Sequence, residues 1–375
     1  VSIMHGNEAC VHGAIAAGCR YFAGYPITPA SEIAELMSYH LPRVRGVFVQ
    51  MEDEIGSICS VIGAAWGGFK AMTATSGPGF SLMQEGIGYA VETETPCVVI
   101  DVMRGGPATG QPTKASQQDV YQARYGSHGD YEIIVLAPSS VQEAFDLTVK
   151  AFNYAEIFRN PVVVLSDEII GHTREKIRIP DKVGVVERRR PSAPPGSYVP
   201  FRAGEDGLLD GMPAFNQGYR ILVDGQFHDE MGLRAGHDPE ESSRLVSRIC
   251  RKISANAGRI IDLDMRFCDD ARIIVISYGS VARPALRAVR DARANGIKAG
   301  YLKLRTIWPF PDEVVKGLAE KVDGFVFPEM NLGKMVRELE RACDGNCRII
   351  SLPKVGGNLH TPNEILTEIE RMIKR

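Results

Sequence analysis

The sequence lacks an excess of charge of either sign, and it lacks long apolar runs. Its 43 basic and 46 acidic residues give a formal net charge of −3, which offers no electrostatic case for nucleic acid as a partner. Apolar runs such as Val98–Ile100 and Val162–Leu165 are too short to cross a bilayer, and no signal-peptide pattern precedes Gly6. We therefore expect a soluble, cytoplasmic protein with no membrane span.

The usual nucleotide and catalytic signatures are also missing. No Gly-Lys-Ser/Thr ends a phosphate-binding loop, and the patterns Gly-x-Gly-x-x-Gly, His-Glu-x-x-His and Gly-x-Ser-x-Gly do not occur. The missing glycine fingerprint argues against a nicotinamide dehydrogenase of doubly wound fold.

Cysteine is sparse, and only two of the eight cysteines, Cys343 and Cys347, lie close together. A structural zinc ion or an iron–sulfur cluster requires about four ligands, and no second pair lies nearby. We predict a plain turn at 343–347, reduced thiols elsewhere and no metal site in this chain. If the protein works with iron–sulfur clusters, another chain holds them.

The 375 residues exceed one typical core and suggest two domains. Between Gly6 and Lys176 short β-type runs alternate with segments of helical period. This alternation predicts a parallel sheet covered on both faces, with the active groups at the carboxyl ends of its strands. The predicted elements are the strands Tyr21–Gly24, Val47–Gln50, Ala71–Thr75, Cys97–Val102, Glu132–Leu136 and Val162–Leu165, with helices such as Ile55–Gly68 and Val141–Ala155.

Residues 186–250 interrupt this alternation and are rich in proline, glycine and charge. We predict an interdomain covering segment here, with either a hairpin or a long loop at 218–232. Alternation resumes at Ala271–Ser277 and predicts a second, smaller α/β domain. The predicted domain boundaries are 1–185, 186–255 and 256–375.

Three carboxylates crowd the stretch Gln50-Met51-Glu52-Asp53-Glu54, where an apolar strand passes into an apolar helix. Such a junction should face the cleft at the edge of the sheet. Acidic residues there would also complement the dipole of a helix N-terminus, and position alone does not separate the two explanations. A solvated cap, however, does not require three carboxylates.

Two further segments carry candidate groups. In Tyr25–Glu32, Pro26 and Pro29 restrict the backbone on either side of Thr28, although Thr28 could equally be a helix N-cap with Pro29 at the first helical position. The loop from Arg104 to Lys114 places two cations among glycines. It is suited to clamp an anionic substrate, and the alternative is a surface loop with solvated charges.

Five motifs, in this order and spacing, resemble the alpha subunit of the 2-oxoacid:ferredoxin oxidoreductase family. The Gly-Gln-Pro-Thr sequence at 110–113 is most similar to the 2-oxoglutarate type. The resemblance covers nearly the whole chain, because Leu304–Pro311 and Pro328–Gly333 are similar to the family's carboxyl-terminal domain. The five motifs are Gly6–Ala9, Tyr25–Glu32, Gln50–Glu54, Thr75–Gly79 and Arg104–Thr113.

The resemblance implies an α/β fold with two parts: a thiamine diphosphate-binding, pyrimidine-type doubly wound parallel-sheet domain, followed by a transketolase C-terminal-like α/β domain. It also implies reversible oxidative decarboxylation of 2-oxoglutarate with coenzyme A to succinyl-CoA and CO2, with electrons passing to ferredoxin. The same chemistry on pyruvate or a branched-chain 2-oxoacid is the alternative. A non-catalytic scaffold subunit is a third possibility.

The resemblance further implies that thiamine diphosphate is shared between two chains. The alpha chain contacts the pyrimidine ring, while a beta subunit binds the diphosphate through Mg2+, and [4Fe-4S] clusters lie on partner subunits. Gamma and ferredoxin-like delta subunits and ferredoxin itself are the other expected partners. This sequence accordingly has no Gly-Asp-Gly motif of the diphosphate-binding type.

Residue roles carried over from the family fall on the matching positions. Glu54 corresponds to the glutamate that hydrogen-bonds the aminopyrimidine, with Glu52 a weaker candidate, and Thr28 and Arg104 correspond to residues near the substrate carboxylate. Lys114 and Thr113 are candidates for a second anionic group of the substrate. The other expected cofactor contacts are Tyr25, Pro26, Ile27, Ser76, Gly77 and Pro78.

Two positions receive no catalytic role. Lys334 stands where many relatives have glutamine, so the role of that glutamine is not carried over. Phe227–Glu230 resembles a family insert near the active site or a subunit interface, and we predict an ordinary charged surface residue at His228.

Overall fold

The computed structural model describes residues 2–374, and within this range the chain forms three β-sheets. The strands in chain order are β1 (Ser2–His5), β2 (Tyr21–Gly24), β3 (Val47–Gln50), β4 (Ala71–Thr75), β5 (Cys97–Gly105), β6 (Gln111–Ala115), β7 (Ile134–Leu136), β8 (Pro161–Asp167), β9 (Arg174–Ile177), β10 (Leu263–Arg266), β11 (Ile273–Ser277), β12 (Ala299–Leu304), β13 (Thr306–Trp308), β14 (Gly324–Glu329) and β15 (Arg348–Pro353). The α-helices are α1 (Gly6–Ala16), α2 (Ser31–His40), α3 (Glu54–Trp66), α4 (Gly77–Leu82), α5 (Gln84–Glu92), α6 (Val120–Tyr125), α7 (Val141–Phe158), α8 (Glu168–His172), α9 (Pro239–Ser254), α10 (Ala257–Ile260), α11 (Ala282–Ala294), α12 (Asp312–Ala319), α13 (Met335–Cys343) and α14 (Pro362–Ile373).

The first sheet has the strand order β13-β7-β8-β5-β4-β2-β3, and β6 pairs with β5 beside this path. All neighbours from β7 to β3 are parallel, whereas β13 and β6 run antiparallel to β7 and β5. Strands β4, β5 and β8 are buried along their whole length. A parallel strand covered by helices on both faces has this near-continuous apolar sequence.

Alternate side chains of β5 enter two different cores. Ile100 belongs to the cluster that includes buried residues of α1, α2 and α7. Val99 belongs to the cluster that includes residues of α3 and α5. Successive strand residues point to opposite faces, so the sheet lies between two helical layers, and the predicted doubly wound α/β class is confirmed.

The second sheet has the order β10-β12-β11-β14-β15, with only the β10–β12 pair antiparallel. Helices α11 and α14 pack together on one face. β1 and β9 form a separate antiparallel pair. Strand β13 lies beyond residue 256 yet pairs with β7 of the first sheet, so chain from the range predicted for the second domain contributes to the first sheet. The three predicted domain boundaries stay predictions.

Most predicted elements are confirmed. The strands at Tyr21–Gly24, Val47–Gln50 and Ala71–Thr75 have the predicted bounds. β5 continues past Val102 to Gly105, because its last residues pair with β6. All eight cysteines are free thiols, and the turn predicted at 343–347 joins α13 to β15.

The covering segment differs from its prediction in two ways. Helix α9 lies within it and was missed, because only a few apolar residues, such as Leu245 and Ile249, mark its buried face among charges. Of the two alternatives predicted for 218–232, a hairpin or a long loop, the structure has the loop. A single β-bridge joins His228 to Arg234. His228 is buried, and its Nε2 lies 3.5 Å from Glu92 Oε1, so the predicted surface position is wrong.

Within residues 2–374, every helix is too short or too polar to cross a bilayer.

A buried ionic network fastens α9 to the end of α5. The Glu94 carboxylate is inaccessible to solvent and accepts hydrogen bonds from Lys252 Nζ at 2.8 Å and Arg248 Nη1 at 3.0 Å. Burial would raise the pKa of Glu94, but the charges of Lys252 and Arg248 outweigh it and lower the pKa to about 2. The network is therefore ionised at neutral pH.

We expect Glu94→Ala to lower the free energy of unfolding by about 3–5 kcal/mol, because it leaves buried cations without a partner. In the unmodified protein, the contribution of Glu94 is present above the unfolded pKa of about 4.3 and is lost as the pH falls toward 2. Denaturant titration measures both effects. Asp323→Ala is the control, since the Asp323–Arg272 pair is exposed, and it should cost far less. Equal losses would contradict the assignment.

Candidate active site

The candidate site lies at the carboxyl edge of the first sheet, where the adjacent strands β5, β4, β2 and β3 end. The segments that follow these strands include the motifs singled out in the sequence. Carboxyl ends of parallel strands share one edge of the sheet. Residues far apart in the chain, from Thr28 to Arg104, therefore meet there.

The three carboxylates after β3 have different environments. Glu52 is exposed. Asp53 is the N-cap of α3, and its Oδ1 accepts a hydrogen bond from the Gly56 N–H at 2.7 Å. Glu54 begins the helix and is only 4% exposed. The capping explanation thus holds for Asp53 and leaves Glu54 without a structural explanation.

The Glu54 carboxylate lies in a setting that disfavours its charge. Burial raises its pKa and Asp53 adds to the effect, whereas the Arg104 cation opposes it. No side chain among the described residues donates a hydrogen bond to this carboxylate. A buried acid with a raised pKa is suited to hold or pass a proton.

Glu54 and the start of α4 form a small polar cradle. A methyl group at Gly79 would lie 2.2 Å from both Glu54 Oε1 and Thr75 Oγ1, so only glycine leaves room for these two oxygens. Thr75 Oγ1 and Ser76 Oγ are buried and have no hydrogen-bond partner within residues 2–374. Unpartnered buried polar atoms are rare in folded proteins, and these two hydroxyl groups are therefore candidates to bind a polar ligand beside Glu54.

The segment after β2 is held in place by hydrogen bonds from Asn7, whereas several of its side chains are exposed to solvent. Asn7 Nδ2 donates hydrogen bonds to the Pro29 carbonyl at 2.8 Å and to Glu32 Oε2 at 2.9 Å. Thr28 is exposed at the sheet edge. Helix α2 has Ala30 as its N-cap, so the interpretation of Thr28 as a cap is wrong. Of the other predicted contacts, Tyr25 and Pro26 are exposed, and Ile27 is half-buried.

Arg104 joins these segments. Its Nη1 donates to the Thr28 carbonyl at 2.7 Å, its charge acts on Glu54, and its buried Nε has no partner among the described residues. A methyl group at Gly77 would contact Arg104 Cγ at 3.8 Å. The structure thus brings together Thr28, Glu54 and Arg104, with Ser76, Gly77 and Pro78 in the adjoining turn.

The loop predicted between Arg104 and Lys114 is a β-hairpin. We call residues 104–115 the Arg104 hairpin: the end of β5, a turn at 106–110, and β6. Ala115 pairs with Arg104 across the hairpin. Lys114 and Thr113 are exposed. The stem of Lys114 packs against Gly357 of the second α/β unit, where an added methyl group would lie 2.6 Å from Lys114 Cβ. The stem of Lys114 thus rests on the second α/β unit.

Sequence reasoning missed several residues of this region. Asn7 lay in a quoted motif but had no role, and Gly79 looked like an ordinary turn glycine. Asp101 and Asp119 were not singled out, although Asp101 is a lone acidic residue in the apolar strand β5, a signal that could have identified it. For Asp119 no comparable signal exists.

The fold and the site define a class: an α/β protein with a buried acid and an adjacent cation at the carboxyl edge of a doubly wound sheet. The family model described as pyruvate flavodoxin/ferredoxin oxidoreductase, thiamine diphosphate-binding, matches residues 12–248. The model for pyruvate:ferredoxin oxidoreductase core domain II matches residues 271–365. The chain belongs to the 2-oxoacid:ferredoxin oxidoreductase family, as the motifs predicted.

Curated relatives match along the whole chain. The 2-oxoglutarate synthase subunit KorA of Methanothermobacter marburgensis is 56% identical, over 98% of this chain and 98% of its own length. The ketoisovalerate oxidoreductase subunit VorB of the same organism is 38% identical, over 99% of this chain and 97% of its own.

Solved structures agree with the fold. A 2-oxoglutarate:ferredoxin oxidoreductase from Magnetococcus marinus, with 2-oxoglutarate, coenzyme A and succinyl-CoA bound, matches all of this chain with a TM-score of 0.92 and 32% identity. The present chain spans 65% of the length of that one. A split-gene transketolase is similar in fold alone, with a TM-score of 0.59 and 12% identity over 99% of this chain and 98% of its own.

We expect Gly79→Ala to lower the free energy of unfolding by about 1–3 kcal/mol, because the added methyl overlaps Glu54 and Thr75 in a packed region. The matched control is Gly317→Ala in α12, where nothing lies within 4 Å of the added methyl and the change should be neutral or stabilising. Denaturant unfolding of both variants tests this. The cradle would be refuted by a Gly79→Ala variant as stable as the control.

Proposed function

We propose that this chain is the alpha subunit of a 2-oxoglutarate:ferredoxin oxidoreductase that converts 2-oxoglutarate and coenzyme A to succinyl-CoA and CO2. The observation that carries the proposal is the buried Glu54 carboxylate, which accepts no hydrogen bond from another side chain and lies beside Arg104 at the sheet edge. Support for the substrate comes from the 56% identity to a 2-oxoglutarate synthase subunit, against 38% to the ketoisovalerate enzyme.

The residues of the cradle fit the aminopyrimidine ring of thiamine diphosphate. When bound, thiamine diphosphate supplies a carbon nucleophile and takes up the electron pair left by the departing CO2. In the proposal, Glu54 holds a proton against a ring nitrogen, which is consistent with the raised pKa of this carboxyl. Thr75 and Ser76 contribute the neighbouring hydroxyl groups, and Gly79 keeps the space open.

The substrate carboxylate is assigned to Arg104 and Thr28. Arg104 is held in place by one hydrogen bond to the Thr28 carbonyl, and its Nε remains available. A guanidinium group binds carboxylates with two parallel hydrogen bonds. A clamp of this kind orients the carboxylate without requiring the cation to move, which lowers the entropic cost of reaching a reactive geometry.

The second carboxylate of 2-oxoglutarate is assigned to Lys114, with Thr113 beside it. Both side chains are exposed on the Arg104 hairpin, and the stem of Lys114 rests on Gly357. The ammonium group is therefore free to reach an anion several bonds away from the carboxylate that Arg104 holds. Pyruvate has no second carboxylate and would not use Lys114.

The remaining parts of the enzyme belong to partner chains in this proposal. A beta subunit holds the diphosphate through Mg2+ and carries a [4Fe-4S] cluster, gamma and delta subunits complete the assembly, and ferredoxin takes the electrons. Exposed apolar side chains next to Glu54 support a covering partner, since Tyr25, Ile55 and Leu82 are 41%, 50% and 48% exposed. Exposed apolar side chains clustered around a polar site are typical of an interface.

We expect Glu54→Gln to lower kcat by about 10²–10⁴-fold in the assembled enzyme, because the amide cannot exchange a proton with the ring. Reduction of a viologen dye with 2-oxoglutarate and coenzyme A measures the rate. Glu52→Gln is the matched control, since Glu52 is exposed two residues away, and it should keep full activity. Unchanged turnover in Glu54→Gln would instead favour a non-catalytic scaffold subunit.

We expect Lys114→Gln to raise KM for 2-oxoglutarate by about tenfold, the effect of losing one charge-assisted hydrogen bond, and to leave any turnover of pyruvate unchanged. Lys182→Gln changes an exposed lysine elsewhere and serves as control. Rates with 2-oxoglutarate, pyruvate and 2-oxoisovalerate decide the substrate class. Equal rates with the branched-chain substrate would overturn the assignment to 2-oxoglutarate.

A further inference from the structure

Two carboxyl groups outside the roles assigned above meet beneath the Arg104 hairpin. Asp101 lies on β5, three residues before the hairpin, and is inaccessible to solvent. Asp119 lies four residues after it and is the N-cap residue of α6, with no side-chain capping bond. The two side chains are within hydrogen-bonding reach of each other.

These carboxyl groups lack the donors that ionised acids require. Both Asp101 oxygens and Asp119 Oδ2 are buried without a hydrogen-bond partner among residues 2–374. Two adjacent carboxylates in a buried site cannot both be ionised at a tolerable cost. A single proton between them removes the repulsion and supplies the missing donor.

The contact between Asp101 and Asp119 joins the two ends of the Arg104 hairpin. The two strands of the hairpin are joined by pairing of Arg104 with Ala115 and of Gly105 with Gln111, and Gly106 N–H donates to Gln118 Oε1 at 2.7 Å. The contact between Asp101 and Asp119 lies below these links, where the chain enters and leaves the hairpin. Loss of this contact removes one link between the two ends of the segment that carries Arg104 and Lys114, while the pairing of β5 with β8 and the bonds of Gln117 to Met330 remain.

We propose that Asp101 and Asp119 share one proton and are positioning residues that hold the base of the Arg104 hairpin closed. The inference rests on the proposed function only where it concerns substrate binding by the hairpin. The Gly77 N–H lies near Asp101 without completing a hydrogen bond to it, and neither carboxyl is assigned a contact with the substrate or the cofactor ring. Their effect on the reaction passes through the position of Arg104.

The surrounding charges favour this arrangement. Burial and the Asp119 charge raise the pKa of Asp101 well above its ordinary value, with the Gly77 N–H and Arg104 opposing. Burial raises the pKa of Asp119 to about 6, against the opposing charges of Lys334 and Arg104. The raised pKa values belong to the pair, which holds one proton as a unit.

Lys334 connects the pair to the second α/β unit. Its Nζ donates to the Gln118 carbonyl at 2.6 Å, beside Asp119, and its charge favours the ionised form of Asp119. Lys334 thus supports the base of the hairpin.

The pH dependence has a defined sign. The contact persists while the pair holds its proton and is lost as the pH rises through the folded pKa of the pair. The contribution of the pair to folding stability declines over the same rise, because unfolded aspartates have already lost their protons above about pH 4. Opening of the hairpin at alkaline pH should therefore weaken substrate binding more than it slows the chemical step.

The test uses the assembled enzyme with Asp101→Asn, and with Asp130→Asn as the matched control at an exposed site. Asparagine donates a hydrogen bond to Asp119 but does not titrate. In the infrared spectrum, we expect a band from a protonated carboxyl group in the unmodified enzyme and in Asp130→Asn. This band should disappear at alkaline pH. It should be absent from Asp101→Asn at every pH. Hydrogen exchange at 104–119 should rise over the same pH range, but not in Asp101→Asn.

Kinetics supply the second readout. In the unmodified enzyme and in Asp130→Asn, log kcat/KM for 2-oxoglutarate should fall at alkaline pH because KM rises. In Asp101→Asn this fall should disappear. Asp101→Ala removes the contact at every pH and should raise KM about tenfold, as expected when a binding group is displaced slightly.

The proposal is overturned if the difference spectrum between the unmodified enzyme and Asp101→Asn contains no carboxylic acid band. It is also overturned if Asp101→Asn keeps the alkaline rise in hydrogen exchange. Both measurements are made without turnover. Absence of turnover with every 2-oxoacid would refute the proposed function instead, and the two failures are therefore distinguishable.

Discussion

The burial of the Glu54 carboxylate is the constraint on which the candidate site depends. Asp53 takes the capping position of α3, so Glu54 is free to point inward, and Gly79 leaves the space that its oxygen occupies. Arg104 lies near enough to offset part of the charge but donates its hydrogen bond to Thr28 instead. The carboxylate therefore accepts no hydrogen bond from another side chain and can accept or donate one to a ligand.

The two α/β units are joined directly beside the site. Gln117, just after the Arg104 hairpin, exchanges hydrogen bonds with Met330: its Oε1 accepts from the Met330 N–H, and its own N–H donates to the Met330 carbonyl. Asn331 Nδ2 donates to the Gln117 carbonyl at 2.8 Å, and Lys334 reaches the Gln118 carbonyl. The hairpin that carries the substrate-binding candidates is therefore seated on the second unit. This explains why a motif near residue 330 accompanies the motifs of the first sheet.

Buried charge is used in two different ways in this chain. The Glu94 network is fully paired with cations and fastens a helix of the covering segment to the first core. Asp101 and Asp119 have buried oxygens without a hydrogen-bond partner among residues 2–374, and Glu54 accepts no hydrogen bond from another side chain. All three lie within or just beneath the candidate site. Unpaired buried acids have raised pKa values and are concentrated where proteins hold or move protons.

The sequence alone determined the class of fold, the six parallel strands of the first sheet and the family, because apolar periodicity and ordered local motifs are written in short stretches of chain. It also identified Glu54, Thr28 and Arg104 as candidates. It did not predict the antiparallel strands β6 and β13. Only the tertiary structure decided that Asp53 is the cap, that Lys114 packs against Gly357, that His228 is buried and that Asp101 meets Asp119. These outcomes depend on packing between segments distant in the chain, such as β5 and α6 or β7 and β13, and no local pattern encodes such contacts.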